Sequence, residues 1–285
     1  MGVCMLDMSS RPPDTERDEP LLLRERAPRA LTHAFVDFDG TVSLLRSGWW
    51  LAMVDVALDA WDPEEDMRSQ HRDRFIHEVL ILNGKPPAFQ LARLAELIQS
   101  EHGDVLNSST MEDVFRERLG KQVVERMESL SQRSTDPKSY LVHEVYQFLN
   151  HLSALGITLH LVTGTDQHLV EKELRALSVD HFFGPRVNGP GSRARDFSKQ
   201  AVFHEIMERE DLKPSEVLVV GDGFVEIDIA AGLGMPSIGI ACDESRNGSG
   251  RLDQQRVDLL KKAQADIIVA DFEHALPHVK ELHLP

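Results

Sequence analysis

Five short and mostly apolar runs limit what this chain can fold into: Ala34-Phe35-Val36, Ile157-Thr158-Leu159-His160-Leu161-Val162, Val217-Leu218-Val219-Val220, Ser237-Ile238-Gly239-Ile240 and Asp266-Ile267-Ile268-Val269. A strand with one wet face alternates apolar with polar residues, whereas a strand covered on both faces reads as a continuous apolar run. From residue 140 onward these runs alternate with helical spacing. Val142, Val145, Phe148, Leu149, Leu152 and Leu155 mark one helix face that stops at Gly156. Residues 166–177 carry Leu169, Val170, Leu174 and Leu177 at similar spacing, and residues 198–209 read as another helix. Strand and helix in alternation predict an open α/β fold, a doubly wound, Rossmann-like parallel sheet whose ligands bind at the carboxyl ends of the strands.

The first two runs are separated by a long stretch with no strand signal. Trp49–Trp61 and residues 67–82, 89–99 and 111–130 each carry apolar side chains at three-to-four spacing, divided by breakers such as Asp62-Pro63 and Asn83-Gly84-Lys85-Pro86-Pro87. Residues 44–139 are therefore expected to form an inserted α-helical cap. The α/β core takes 31–43 and 140–285. Residues 1–30, rich in Arg, Asp, Glu and Pro with one apolar cluster at 21–23, are expected to be a mobile tail without the apolar stretch of a secretory signal.

A formal net charge of −16 excludes the broad basic surface that nucleic acid or an anionic membrane would need. It leaves room for a small anionic substrate, because a bound cation and one or two placed Lys or Arg side chains invert the potential locally. No apolar run approaches the roughly 18 residues of a membrane span. Cys4 and Cys242 are too few for a disulfide framework and read as inert thiols in a reduced, cytoplasmic compartment. The 13 histidines show no zinc-type spacing and read as surface or satisfied core residues. Asn107-Ser108-Ser109 and Asn247-Gly248-Ser249 match a glycosylation sequon without an export signal beside it. Oligomeric state is left open.

The chemistry sits where the runs end. The first delivers Asp37 and Asp39, the second Thr163, and the third Gly221-Asp222-Gly223 with Glu226 one helical turn on. In such a fold these ends converge on one crevice, where carboxylates tolerate each other only with a cation or a shared proton. Mg²⁺ prefers oxygen ligands, and Asp37 and Asp222 suit it. Asp37 can attack phosphorus to form an aspartyl-phosphate. Asp39 can protonate the leaving oxygen and later accept a proton from water. Gly40 permits a sharp turn close to a phosphate, while Thr163 and Lys199 supply a hydroxyl and a positive charge for its oxygens.

Asp37-Phe38-Asp39-Gly40-Thr41, Leu161-Val162-Thr163-Gly164, Lys199, and Val220-Gly221-Asp222 through Glu226 resemble, in order, the motifs of the haloacid dehalogenase superfamily. The helical insertion occupies the place of that family's first type of cap. The resemblance implies Asp37 as nucleophile and Asp39 as acid/base and, through its backbone carbonyl, a metal ligand. It implies phosphate contacts at Gly40, Thr41, Thr163, Gly164 and Lys199, and Mg²⁺ on Asp37, Asp39, Asp222 and Glu226. Where the family commonly has Asp in the fourth motif this chain has Glu226, with Asp228 a competitor for the same role.

The expected function is Mg²⁺-dependent hydrolysis of a small phosphorylated metabolite. Alternatives are a phosphomutase acting on a sugar phosphate and a non-catalytic regulatory module with a phosphatase-like core. Arg46, Trp49 and Trp50, early in the insertion, are candidate substrate contacts, though such tryptophans more often pack a helix and such an arginine is more often solvated. Arg193 and Arg195 read either as surface charges or as a rim for an anionic substrate.

Overall fold

The computed structural model describes residues 17–26, 30–82, 87–191 and 197–282. Cys4, Arg193 and Arg195 lie outside them. The core is a seven-stranded sheet of β1 (Leu21–Leu22), β2 (His33–Val36), β3 (Thr158–Val162), β4 (Val187–Asn188), β5 (Val217–Gly221), β6 (Ser237–Ile240) and β7 (Ile267–Val269). Its spatial order is β1-β7-β6-β5-β2-β3-β4, parallel throughout except for β1 at the edge.

Burial explains the unbroken apolar runs. Ala34 and Val36 of β2 and Leu218 and Val220 of β5 face one apolar cluster, while Phe35, Val217 and Val219 face a second on the opposite side of the sheet. Neither face is wet, so neither needs polar residues. Phe148 and Phe272, from helices Val145–Ala154 and Phe272–Leu282, pack on the first side. Phe203, Ile227 and Val257, from helices Lys199–Arg209, Phe224–Leu233 and Gln254–Lys262, pack on the second.

After β2 the chain leaves the sheet for α1 (Trp49–Trp61), α2 (Glu65–Leu80), α3 (Pro87–His102) and α4 (Ser108–Ser131). These helices have their own apolar core, including Met53, Leu58, Phe75, Leu94 and Phe115. The outgoing and returning linkers run side by side, with Leu44 N–H donating to Tyr140 O at 2.8 Å and Val142 N–H to Val42 O at 3.2 Å. Arg126 of α4 braces the outgoing linker through the carbonyls of Leu44 and Leu45 at 3.1 and 2.8 Å.

Register sets the site. Val36 pairs with both Leu161 and Val220, so Asp37 stands level with Val162 and Gly221, and Thr163 and Asp222 lie one residue beyond. All face the carboxyl edge of the central strands.

Several details differ from expectation. Residues 21–22, expected in a mobile tail, form the edge strand β1 on β7, with Leu23 N–H donating to Asp266 O at 2.8 Å and Arg26 bonding the Asp266 carboxylate at 2.6 Å. Two-residue strands such as β1 and β4 carry no readable period. His160 is not a satisfied core histidine: it is fully buried, and neither ring nitrogen has a hydrogen-bond partner among the described residues. Both sequon asparagines have structural work: Asn107 caps α4 by accepting from Ser109 and Thr110 N–H, and Asn247 accepts from His143 N–H and donates to Leu141 O. Cys242 is buried, and burial pushes its thiol up to about 12, as an inert thiol requires.

Candidate active site

Asp37, Lys199, Asp222 and Glu226 meet in a buried cluster at the ends of β2 and β5 and the starts of two helices. Lys199, the first residue of its helix, donates to Asp37 Oδ1 at 2.6 Å and to Glu226 Oε2 at 2.9 Å. The other Glu226 oxygen accepts from Gly223 N–H at 2.7 Å, so this side chain folds back and caps the helix that carries it. The longer side chain needs space. A Cβ at Gly221 would stand 2.4 Å from Glu226 Cγ, so glycine there is what admits Glu226. Asp228 is exposed and away from the cluster, which places Glu226 and not Asp228 in the crevice.

Gly40 has φ +77°, and a Cβ on it would lie 2.3 Å from Asp222 Oδ2. The turn after β2 thus demands glycine twice, once for its backbone angle and once for the approach of Asp222. Thr41 is fully buried, and its hydroxyl donates to Asp222 Oδ1 at 3.1 Å. Expected as a phosphate contact, it is engaged in holding a carboxylate. Thr163 is buried, with its oxygen accepting from Thr165 N–H at 3.1 Å, and Gly164 beside it is exposed.

Asp39 stands to one side of the cluster and keeps 28% of its side chain exposed. One oxygen accepts from Arg46 at 2.9 Å and the other from Thr165 Oγ1 at 2.6 Å. Arg46 itself is nearly buried, and its guanidinium also binds Glu173 through two contacts, 2.6 and 2.7 Å. Arg46 is therefore not a solvated surface arginine: it ties the outgoing linker to Asp39 and to the helix Gln167–Ala176.

Sequence reasoning missed Arg256. It lies in the first turns of its helix, is buried, and donates to Asp222 Oδ2 at 2.9 Å and to Glu244. Glu244 also accepts from Gly48 N–H at 3.3 Å, at the N-cap of α1. Trp50 lies against this arginine, with the guanidinium carbon 5.9 Å from its ring centroid, and Trp49 meets Trp50 edge-on at 6.0 Å. Both tryptophans pack on the insertion's apolar core, and Trp50 also reaches the crevice wall. No local spacing signals Arg256 or Glu173. Thr165 was within reach, since a strand-to-helix turn presents the residues just past the strand.

The electrostatics are consistent with a cation site. Burial raises Asp37 well above the usual carboxylate range, Glu226 and Asp222 add to the rise, and Lys199 opposes it. Burial also raises Asp222, to about 7, against the pull of Arg256. Burial would push Glu226 up too, but Lys199 and the Gly223 N–H hold it below its usual value. Burial would lower the Lys199 ammonium, yet Asp37 and Glu226 outweigh it and hold it charged. Oxygens of Asp37, Asp222 and Glu226 lie within 4.8 Å of one another, so the three could hold a metal ion. With Glu244, four carboxylates face two cations, Lys199 and Arg256. With all four ionised, the surplus of two negative charges and the all-oxygen donor set fit one Mg²⁺.

A model of the haloacid dehalogenase-like hydrolase family matches residues 31–234. The chain belongs to this family. The phosphoglycolate phosphatase of Escherichia coli strain K12 is 26% identical over 140 residues, which are 49% of this chain and 53% of that protein. The chain thus spans about half the length of the curated relatives it matches. A predicted phosphoglycolate phosphatase from Haemophilus somnus 129pt shares the fold at a TM-score of 0.58 and 20% identity, covering 87% of this chain and 97% of that one. A haloacid dehalogenase family hydrolase from Deinococcus radiodurans R1, solved with bound phosphate and sodium, aligns at a TM-score of 0.58 and 13% identity over 90% of this chain and 99% of that one. At these identities the structural likeness speaks for the fold.

Proposed function

We propose that this haloacid dehalogenase-like hydrolase is a Mg²⁺-dependent phosphatase that cleaves a small phosphomonoester through an aspartyl-phosphate on Asp37. The observation that carries the reading is the pairing of a buried nucleophile, held by Lys199 at 2.6 Å, with a second carboxylate, Asp39, two residues on and partly exposed. Buried and oriented, Asp37 offers its free oxygen to phosphorus. Asp39 gives a proton to the departing ester oxygen as the phosphorus–oxygen bond breaks. In the second half Asp39, now a carboxylate, takes a proton from water as that water attacks phosphorus, releasing inorganic phosphate and restoring Asp37.

Lys199, Thr163 and the backbone around Gly40 and Gly164 are the groups that would bind the phosphoryl oxygens. Asp37 and Asp222 would hold the Mg²⁺, which supplies charge compensation for the phosphoryl group. Both Glu226 oxygens are engaged by Lys199 and Gly223, which favours a bracing role for Glu226 or a water-mediated one. Arg46 and Thr165 orient Asp39 toward the leaving group.

The similarity to phosphoglycolate phosphatase makes small carboxylated phosphomonoesters, phosphoglycolate among them, the first substrates to test. Purified protein would be screened against phosphorylated metabolites with phosphate detection. Release of phosphate that stops with chelator and returns with Mg²⁺ is the expected result. Full activity in excess chelator would refute the metal requirement, and isomerised sugar phosphate without phosphate release would replace the hydrolase with a mutase.

A further inference from the structure

The helical insertion carries a second set of metal-type ligands, separate from the carboxylate crevice. His71, midway along α2, and His102, the last residue of α3, bring their Nε2 atoms within 3.2 Å, and Glu101 Oε2 lies 4.0 Å from His71 Nε2. We propose that His71, His102 and Glu101 form a binding site for a divalent transition ion of the Zn²⁺ kind, which clips α2 to the end of α3.

The geometry matches the ion. Two imidazole nitrogens bound tetrahedrally to Zn²⁺ at its usual bond length stand about 3.3 Å apart. His71 Nδ1 lies 2.9 Å from the carbonyl oxygen of Met67. A carbonyl only accepts, so Nδ1 carries the proton and Nε2 turns its lone pair toward His102. A ring held in this way, by its far nitrogen on a backbone carbonyl, is oriented for a metal before one arrives.

The remaining ligands are held as well. Arg74 grips both oxygens of Glu101, at 2.7 and 2.5 Å. Trp61 packs 4.6 Å from the His102 ring and 5.2 Å from the His71 ring, and Phe75 stands 5.7 Å from His71. Without an ion, His102 Nε2–H donates to His71. With one, His102 carries its proton on Nδ1 instead, so both rings enter neutral and no net charge is lost. Glu101, exposed at the helix end, has to close about 0.7 Å by side-chain rotation to complete the tetrahedral edge.

Imidazole donors also separate the two sites by chemistry. Mg²⁺ takes oxygens and suits the crevice, while two nitrogens and one carboxylate favour a borderline ion such as Zn²⁺. The expected consequence is a stiffer insertion, since Trp61 ends α1 and the ligands come from α2 and α3.

Calorimetric titration of Zn²⁺ into the whole chain, with excess Mg²⁺ present to fill the crevice, tests this directly. One equivalent should bind and raise the melting temperature. His102→Gln, at an exposed position, and His71→Gln should each weaken binding by more than about tenfold. His102→Gln should melt like the parent protein when metal-free. Undiminished Zn²⁺ uptake in both variants would overturn the proposal, as would uptake that disappears in Asp222→Asn, which would assign the ion to the crevice.

Discussion

Arg256 Nη1 donates to Asp222 Oδ2 at 2.9 Å, setting a buried guanidinium against a carboxylate proposed to hold the metal. Its other arm binds Glu244, which accepts from the backbone of Gly48 where the insertion begins. Removing one partner of a buried pair leaves the other charge uncompensated. Arg256→Ala should therefore destabilise the protein by about 3–5 kcal/mol, read as a lower urea midpoint. Mg²⁺ should raise the variant's midpoint more than the parent's, because the ion then supplies charge that the arginine supplied. Equal Mg²⁺ effects in both would separate Arg256 from the metal site.

Asp37→Asn should abolish turnover and leave the fold intact. The amide is isosteric, and Lys199 keeps its bond to Glu226. A loss on the order of 10⁴-fold corresponds to about 5.5 kcal/mol of transition-state stabilisation. Phosphate release and thermal melting measured on the same preparation check it, and near-normal turnover would remove Asp37 as the nucleophile.

Asp39 accepts from Thr165 Oγ1 at 2.6 Å and from Arg46 at 2.9 Å, and these bonds aim it. Asp39→Asn should cost about 10²–10⁴-fold on alkyl phosphates, whose leaving oxygen needs a proton. The first step on an activated aryl phosphate, whose leaving group departs unaided, should suffer much less. Thr165→Val should show a weaker version of the same bias. A uniform loss across leaving groups in burst-phase kinetics would argue against general acid catalysis by Asp39.

His160 supplies a pH dependence that is separate from the chemistry. Burial, with smaller contributions from His33 and Arg186, lowers its pKa to about 4. The unfolded chain, with His near 6.5, binds the proton more readily, so stability is complete above that value and falls as pH drops toward 4. The span corresponds to about 3 kcal/mol. His160→Leu removes the titrating ring and its two nitrogens, unpartnered among the described residues, so it should flatten the curve between pH 6.5 and 4 relative to the parent. Parallel pH–stability curves for the two proteins would contradict this origin.

The sheet and the strand-end positions of the candidate site residues were legible because their signals are local. A strand buried on both faces must be apolar throughout, and its end must deliver whatever follows, so Asp37, Thr163 and Asp222 could be placed from their neighbours alone. Helix positions in the insertion followed from spacing, with ends shifted by a few residues where caps such as Asn107 set them.

What lay beyond local pattern depended on packing. Arg256, Glu244 and Glu173 enter the crevice region from helices and loops far along the chain, and their direction follows from how those elements seat on the sheet and the insertion. The choice of Glu226 over Asp228 was likewise tertiary, since only the seated helix turns one inward and the other to solvent. His71 and His102 show the same limit: 31 residues apart, with no ligand spacing between them, they meet because α2 and α3 pack side by side. Sequence determined which residues end the strands. Tertiary structure decided which distant charges surround them, because a buried carboxylate must be compensated by whatever cation the packing brings within reach.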